Sequence, residues 1–209
     1  MEYAFHVHNK LAIDGVTMAT DKLLQLVCNC KKSKMAEAGM RSTQNKDHFL
    51  TAPPVIVCVG SDLAIGDSLG PICGSMLQYK TQGVNVFLYG TLAAPVTAKE
   101  IKHLREFLAQ THKNSPIIAV DAAIGNEGDI GLIKISDKPL FPGAGANKQL
   151  GAIGDMSILG IVAEKSLANY GLLNTTRLNL VYSMSEIIAN ALSALLWEKN
   201  DGNFCVKNA

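Results

Sequence analysis

Apolar and polar positions follow two different periods along the chain, and the changes between them lay out its elements. From Leu11 to Val27, the residues Leu11, Ile13, Val16, Leu23, Leu24 and Val27 recur mostly at helical separations, which predicts an amphipathic helix on the domain surface. Between Lys31 and Pro53 the period is lost. Lys31, Lys32, Lys34, Arg41 and Lys46 mix there with Ser, Thr, Gln and Asn, the pattern of a mobile connection. Strand Val55 to Val59 then leads to a helix around Ile72 to Tyr79. Strand Val84 to Tyr89 leads through Gly90 to Val96 into a helix from Ala98 to Gln110, and a third strand follows at Ile117 to Val120. Two consecutive β-α-β units imply parallel strands joined by right-handed crossovers, with helices on the sheet faces.

After Asp121 the pattern changes. Gly131 to Ile135 reads as a strand reached through a tight Gly-Asn-Glu-Gly turn, too soon for a helical crossover, so it is expected to run antiparallel. Lys138 to Gly154 is a long Gly- and Pro-rich loop. Asp155 is placed to cap a helix from Met156 to Tyr170 that Gly171 ends. Arg177 to Tyr182 alternates as a strand. Ser185 to Glu198 forms a closing helix with Ile187, Ile188, Ala191, Leu192, Leu195 and Leu196 as its apolar side, and Lys199 to Ala209 is a frayed tail. The expected organisation is an N-terminal helix within 1–30 packed on the core, a mobile linker at 31–53, an α/β core at 54–198 with a doubly wound, mostly parallel sheet and one antiparallel strand, and a tail at 199–209.

Composition narrows what this domain does. A chain of 209 residues supports one domain with a sizeable core. Its 19 Lys and Arg against 18 Asp and Glu leave a formal charge of +1, which gives no electrostatic footprint for nucleic acid or an anionic membrane. The apolar fraction is 48%, yet no apolar run approaches the roughly 20 residues that cross a bilayer. The start, MEYAFHVHNK, lacks the basic and apolar regions of a secretory signal. Five scattered cysteines are the usage of a reduced cytosolic protein, and the Cys28 and Cys30 pair has no second ligand pair at zinc spacing.

The candidate chemistry lies at two strand ends. Ligands in open α/β sheets bind outside the carboxyl ends of the strands, where the strand order reverses. The first core strand enters a loop holding Gly66, Asp67 and Gly70, and the third ends at Asp121. If those strands are neighbours, about 5 Å apart, the two carboxylates face one crevice. Such a pair could hold a divalent metal, share a proton as an acid-base dyad whose titrations belong to the pair, or polarise a water for attack on a carbonyl. Asp67 also fits a helix N-cap, and Asp121 also fits a turn-forming acid. Other chemistries lack their residues: there is no G-x-G-x-x-G, G-x-x-x-x-G-K or G-x-S-x-G motif. None of the five histidines falls in a strand-end loop, and His103 and His112 are expected on the surface of their helix.

The segments VCVGSDLAIGDSLGP, LYGTLAAPVTA, IIAVDAAIG, FPGAGANKQL followed by IGDMSILGIV, and NTTRLNLVYSM resemble the YyaC family of sporulation proteins in order and spacing, from about His6 to Trp197. That family is similar in turn to the spore germination protease and, more distantly, to hydrogenase maturation proteases. The resemblance implies a three-layer α/β/α fold and an aspartate-dependent peptidase acting on a peptide or protein substrate in the cytoplasm of the developing spore. Asp67 in DSLGP and Asp121 in VDA match the two aspartates that carry proteolysis in the germination protease. The maturation proteases add a histidine and bind nickel, and no histidine here matches it. No cofactor is expected, although a divalent metal could sit at Asp67 and Asp121. Gly66, Gly90 and Thr91, with Gly143, Gly145, Asn147 and Lys148 of the Gly-rich loop, are the candidate substrate-binding positions. The chain departs from the family pattern at Leu63, Ala64 and Ile65, where a basic and hydroxylated stretch is usual. It departs again at Ala94 and Thr97, where the family carries an acid and a histidine around the proline. A non-catalytic sporulation factor that binds a peptide or protein partner with the same fold is the alternative expectation.

Overall fold

A computed structural model describes residues 1–37, 52–142, 151–165 and 176–204. In chain order the elements are β1 (Glu2–His6), α1 (Ala12–Glu37), β2 (Val55–Cys58), α2 (Leu69–Lys80), β3 (Phe87–Tyr89), α3 (Ile101–Thr111), β4 (Ile117–Gly125), β5 (Leu132–Ser136), β6 (Met156–Glu164) and α4 (Leu178–Phe204). A short 3-10 turn at Ile65–Ser68 precedes α2. The six strands form one sheet in the order β1-β5-β6-β4-β2-β3. β2 lies between β3 and β4, parallel to both, so the first and third core strands are neighbours. β4 runs parallel to β6, and β5 is antiparallel to both β6 and β1. One strand therefore opposes the rest, as the tight turn before it requires.

Alternation along the strands divides the core in two. Ile56, Cys58, Ile118, Val120, Ile133, Ile135, Met156 and Ile158 pack on α1, α2 and α4. Val55, Val57, Val59 and Ala119 turn to the other face, under Ile101 and Leu108 of α3 and the bridged pair Leu140 and Ile153. These are the three layers of an α/β/α sandwich. Among the described residues, α1, α2 and α4 lie on one face and α3 on the other. Residues Val16, Ala19, Leu23, Leu24 and Val27 give α1 a buried stripe at helical spacing.

Several elements differ from the sequence expectation. Strand β1 was not anticipated, although Tyr3, Phe5 and Val7 alternate. It extends the sheet edge, and the amide of Val7 donates to the Gly131 carbonyl at 2.8 Å. Helix α1 continues past Val27 to Glu37, so Lys31 belongs to a helix, not to a connection. The Lys31 Nζ reaches the Asp155 carboxylate at 2.8 Å and the Ser115 carbonyl at 2.7 Å, which ties α1 to the sheet. The rest of the expected linker, 38–51, lies outside the described residues.

Met156–Glu164 is a strand, not a helix capped by Asp155. It lies between β5 and β4 and is buried on both faces, so its nearly unbroken apolar run carries no period that separates strand from helix. Asp155 instead accepts from the Ile117 amide at 2.8 Å and pairs with Lys31. The remainder of that expected helix, from 166 onward, lies outside the described residues.

Residues Leu178 to Tyr182 are the first turns of α4, not a strand, because Val181, Met184, Ser185 and Ile188 are buried at helical spacing. The helix also runs through Lys199 to Phe204, where a frayed tail was expected. Its stretch Leu178–Asn200 has a hydropathy of 1.3, long and apolar enough to cross a bilayer, but 50% of that stretch is buried in the protein. Its apolar side covers α1, α2 and the sheet, as a core helix does.

Candidate functional site

The loop from Gly60 to Ser68 is held in a compact arch beyond the end of β2. Gly60 sits at φ +139, and a Cβ there would lie 2.1 Å from the Asp67 carbonyl oxygen, so only glycine lets the loop fold back this closely. The Ser61 amide donates to that carbonyl at 3.1 Å, the Asp67 amide donates to Ala64 at 3.0 Å, and the Leu63 amide donates to the Ser61 hydroxyl at 3.2 Å. These bonds place Asp67, half-buried, in the turn immediately ahead of α2. The cap position of α2 is held by Ser68, which makes no side-chain cap bond, so Asp67 does not occupy the N-cap. The buried Ser185 hydroxyl on α4 donates to the Leu69 carbonyl at 3.0 Å and fixes the start of α2 from the other side.

Asp121 lies inside β4, not in the loop after it. β2 stops at Cys58, while β4 continues beside β6 through Asp121 and Leu159 to Gly125. The Val59 amide donates to the Val120 carbonyl at 2.7 Å, the last bond on that side before the chain of Gly60 departs. Asp121 therefore occupies a ledge where β4 outlasts its neighbour, and the Asp67 arch fills the space that β2 vacates. Only 8% of Asp121 is exposed, and its carboxylate accepts from the Ala122 amide at 2.8 Å.

The electrostatics follow from this placement. Burial pushes the Asp121 carboxyl well above its ordinary value, the negative Asp67 raises it further, and the Ala122 amide opposes both. Burial also raises Asp67, against the Ser61 backbone amide. The more deeply buried Asp121 is thus the group that keeps a proton, and Asp67 is the one that ionises first. Asp67 lies within electrostatic reach of Asp121.

The remaining candidates divide. Gly66 is buried in the 3-10 turn beside Asp67. Gly90, at φ +90, lies where a Cβ would come 1.8 Å from the Cys58 carbonyl, which packs the β3 to α3 loop against the end of β2. The Gly60 amide donates to the Val96 carbonyl at 3.0 Å, so the far end of that loop is tied to the same arch. Thr91 closes its own loop: its hydroxyl accepts from the Ala94 amide at 3.1 Å and its amide donates to the Ala94 carbonyl at 3.1 Å. Thr97 donates its hydroxyl and its amide to the Glu100 carboxylate and forms the entry turn to α3. Gly143, Gly145, Asn147 and Lys148 lie outside the described residues.

Two backbone amides, of Ser61 and Ala122, act directly on the acids, and no side-chain pattern could have pointed to them. His112, expected on the surface, is buried, with its Nε2 at 2.8 Å from the Tyr89 hydroxyl and its ring against Phe87 and Phe107.

Among the described residues no cluster of three His, Cys, Asp or Glu side chains could hold a metal. The donor set at Asp67 and Asp121 is two carboxylates without nitrogen or sulfur, which does not fit nickel. A hard oxygen-seeking cation such as Mg²⁺ would take most of its ligands from water there.

A model of the family described as "Protein of unknown function (DUF1256)" matches residues 29–191. The chain is 43% identical over 141 residues to "Uncharacterized protein YyaC" from Bacillus subtilis (strain 168), covering 68% of each chain. Among solved structures it is similar to the NiFe hydrogenase maturation protease HycI from Thermococcus kodakarensis KOD1, with 20% identity, a TM-score of 0.39, and 68% of this chain and 92% of that one covered. At that score the likeness says nothing of the site. The chain belongs to the DUF1256 family.

Proposed function

We propose that this member of the DUF1256 family is an aspartate-dependent peptidase in which Asp67 and Asp121 divide the roles of base and acid. The observation that carries the reading is the burial of Asp121 on the β4 ledge within electrostatic reach of Asp67. A pair of carboxyls whose environments push them apart supplies one ionised and one protonated group at the same pH. The Asp67 carboxylate takes a proton from a water as its oxygen adds to the peptide carbonyl. The Asp121 carboxyl donates its proton to the carbonyl oxygen, giving a neutral diol. Collapse returns one hydroxyl proton to Asp121, and Asp67 passes its proton to the leaving nitrogen as the C–N bond breaks. Atoms and charge balance over the cycle, and neither acid is consumed.

The substrate is a peptide or protein of the developing spore, and the setting is its cytoplasm. That placement rests on the motifs shared with the YyaC family. No cofactor, nucleic acid or membrane is required by this chemistry. The test compares hydrolysis of spore-protein peptides by the wild type, Asp67→Asn and Asp121→Asn. Each substitution is expected to lower the rate by about 10²–10⁴-fold, the usual contribution of a positioned acid or base. The wild-type profile is expected to be bell-shaped, losing activity at low pH as Asp67 protonates and at high pH as Asp121 ionises. Equal rates in all three proteins would overturn the dyad.

A second reading is favoured by the apolar Leu63, Ala64 and Ile65 beside Asp67: a non-catalytic factor that binds a peptide or protein in the same crevice. Binding that is never followed by cleavage, and that both Asn variants retain, supports that reading instead.

A further inference from the structure

We propose that Leu69 is a positioning residue for the two acids: seated in the notch that Gly160 leaves in β6 and held by Ser185 of α4, it sets Asp67 against Asp121. The inference rests on the reading of Asp67 and Asp121 as a functional pair, and goes beyond it in naming what fixes their separation.

Leu69 opens α2, with Ser68 alone between it and Asp67. It is fully buried, as are Met184 and Ser185 of α4. A Cβ on Gly160 would lie 2.3 Å from Leu69 Cδ1 and 3.1 Å from Met184 Cε, so the Leu69 side chain occupies the space that a larger residue on β6 would fill. The Ser185 hydroxyl lies 3.0 Å from the Leu69 carbonyl and 2.8 Å from the Val181 carbonyl, which ties the backbone of the same residue to α4. Gly70 completes the seat. A Cβ there would come 2.0 Å from the Val59 carbonyl oxygen, so α2 starts in backbone contact with the chain leaving β2. The first turn of α2 is thus held by β6, α4 and the end of β2 at once. Close-packed interiors transmit displacement, so a shift of Leu69 is carried to Asp67.

Alternation decides how a change at Gly160 reaches Asp121. Across the ladder Asp121 pairs with Leu159 and Ala122 with Gly160, ahead of the register shift at Ala123. Ala122 packs on the side of α1, α2 and α4, and Leu159 on the side of α3. Successive side chains leave opposite faces of a sheet. A methyl added at Gly160 therefore enters the layer of Leu69, not the face from which Asp121 projects. Its route to Asp121 runs through Leu69 and the arch. Among the described residues, the groups acting on the Asp121 carboxyl are Asp67, which raises it by its charge, and the Ala122 amide, which opposes. The separation of the two acids is readable as a titration.

The test follows the Asp121 carboxyl by NMR of carbon-labelled aspartate in the full chain, with the signal assigned by its absence in Asp121→Asn, and follows peptide cleavage separately. In Gly160→Ala the added methyl lifts Leu69 from its notch and carries Asp67 away. Asp121 is then expected to titrate at lower pH than in the wild type, and cleavage to slow about 100-fold. Ser185→Ala removes the bond and leaves the notch, and is expected to move both in the same direction, with about a tenfold loss of rate. Gly160→Ala combined with Leu69→Val, whose shorter side chain clears the added methyl, is expected to return titration and rate toward the wild type. A merely structural role would lower unfolding stability and leave the titration of the folded protein where it was. An Asp121 titration that stays or rises in folded Gly160→Ala, or in Ser185→Ala where the first variant does not fold, would overturn the inference. So would a shift that Leu69→Val leaves in place. Shifted titrations without cleavage by any of the chains remove the catalytic reading and keep this one, and cleavage by the wild type with unshifted titrations in the variants does the reverse.

Discussion

Asp121 and His112 are both polar, both 8% exposed, and both set into the sheet's layers, yet their surroundings are opposite. His112 has the Tyr89 hydroxyl at hydrogen-bond distance and rings of Phe87 and Phe107 around it, so its burial is compensated. Asp121 has one backbone amide and a second acid. A buried polar group with its partner supplied holds a fold together, whereas a buried acid facing another acid costs stability and persists where chemistry uses it. The aromatic cluster around His112 thus serves the fold, and the ledge at Asp121 is the candidate site.

The largest expected way to break this contrast is Gly60→Ala. Its Cβ would press on the Asp67 carbonyl at a φ that alanine avoids, which shifts the arch without touching either carboxylate. A displacement of that kind is expected to lower peptide hydrolysis by about 100-fold while the far-ultraviolet circular dichroism of the folded protein is kept. Wild-type activity in Gly60→Ala would mean that the placement of Asp67 does not matter.

Next in size is His112→Ala. It leaves the Tyr89 hydroxyl without its partner and opens a gap between the rings, with an expected loss of about 2–3 kcal/mol in urea unfolding. Peptide cleavage and binding are expected to be unchanged, since His112 lies between the end of α3 and the start of β4, ahead of the strand that carries Asp121. Lost activity with stability retained would move His112 from structure to site.

The smallest effect has the opposite sign. Because the Asp121 carboxyl is raised in the folded protein, the native state binds more protons than the unfolded chain above the unfolded value of about 4. Stability is then greatest below that pH and falls as pH climbs through the raised folded value. Asp121→Asn keeps the acceptor for the Ala122 amide and removes the ionisation. It is expected to gain roughly 0.5–2 kcal/mol at neutral pH, with the gain vanishing near pH 3, as read by thermal melts across pH. A destabilised Asn variant at neutral pH would show that the carboxylate is stabilising where it stands.

Much of the fold is legible from local pattern. Val55 to Val59, the helix that follows and the strand at Ile117 announce themselves by the change of period, and the tight turn before Leu132 forces β5 to oppose its neighbours. The adjacency of the strands that lead to Asp67 and Asp121 follows as well, because a doubly wound order places the first and third core strands side by side.

Met156–Glu164 shows where pattern stops. A central strand buried on both faces and a buried helix write the same run of apolar residues, and only the open ladder positions on β4 and β5 select the strand. That choice also moves Asp121 into the sheet interior, because β6 carries the pairing of β4 onward after β2 has ended. Leu178 to Tyr182 errs in the other direction. Its alternation is real, but the groove between α1 and α2 buries Val181, Met184 and Ser185 and takes it as a helix.

By itself, then, the sequence determines the alternating α/β class, the order of its core strands' chemistry and the pair of acids, since each depends on spacing within one or two elements. Only the tertiary structure decides that Asp121 is buried on a ledge, that Asp67 sits in an arch beyond β2 rather than capping α2, and that His112 is enclosed. Those outcomes depend on which strand ends first, and a strand ends where its neighbours stop supplying hydrogen bonds.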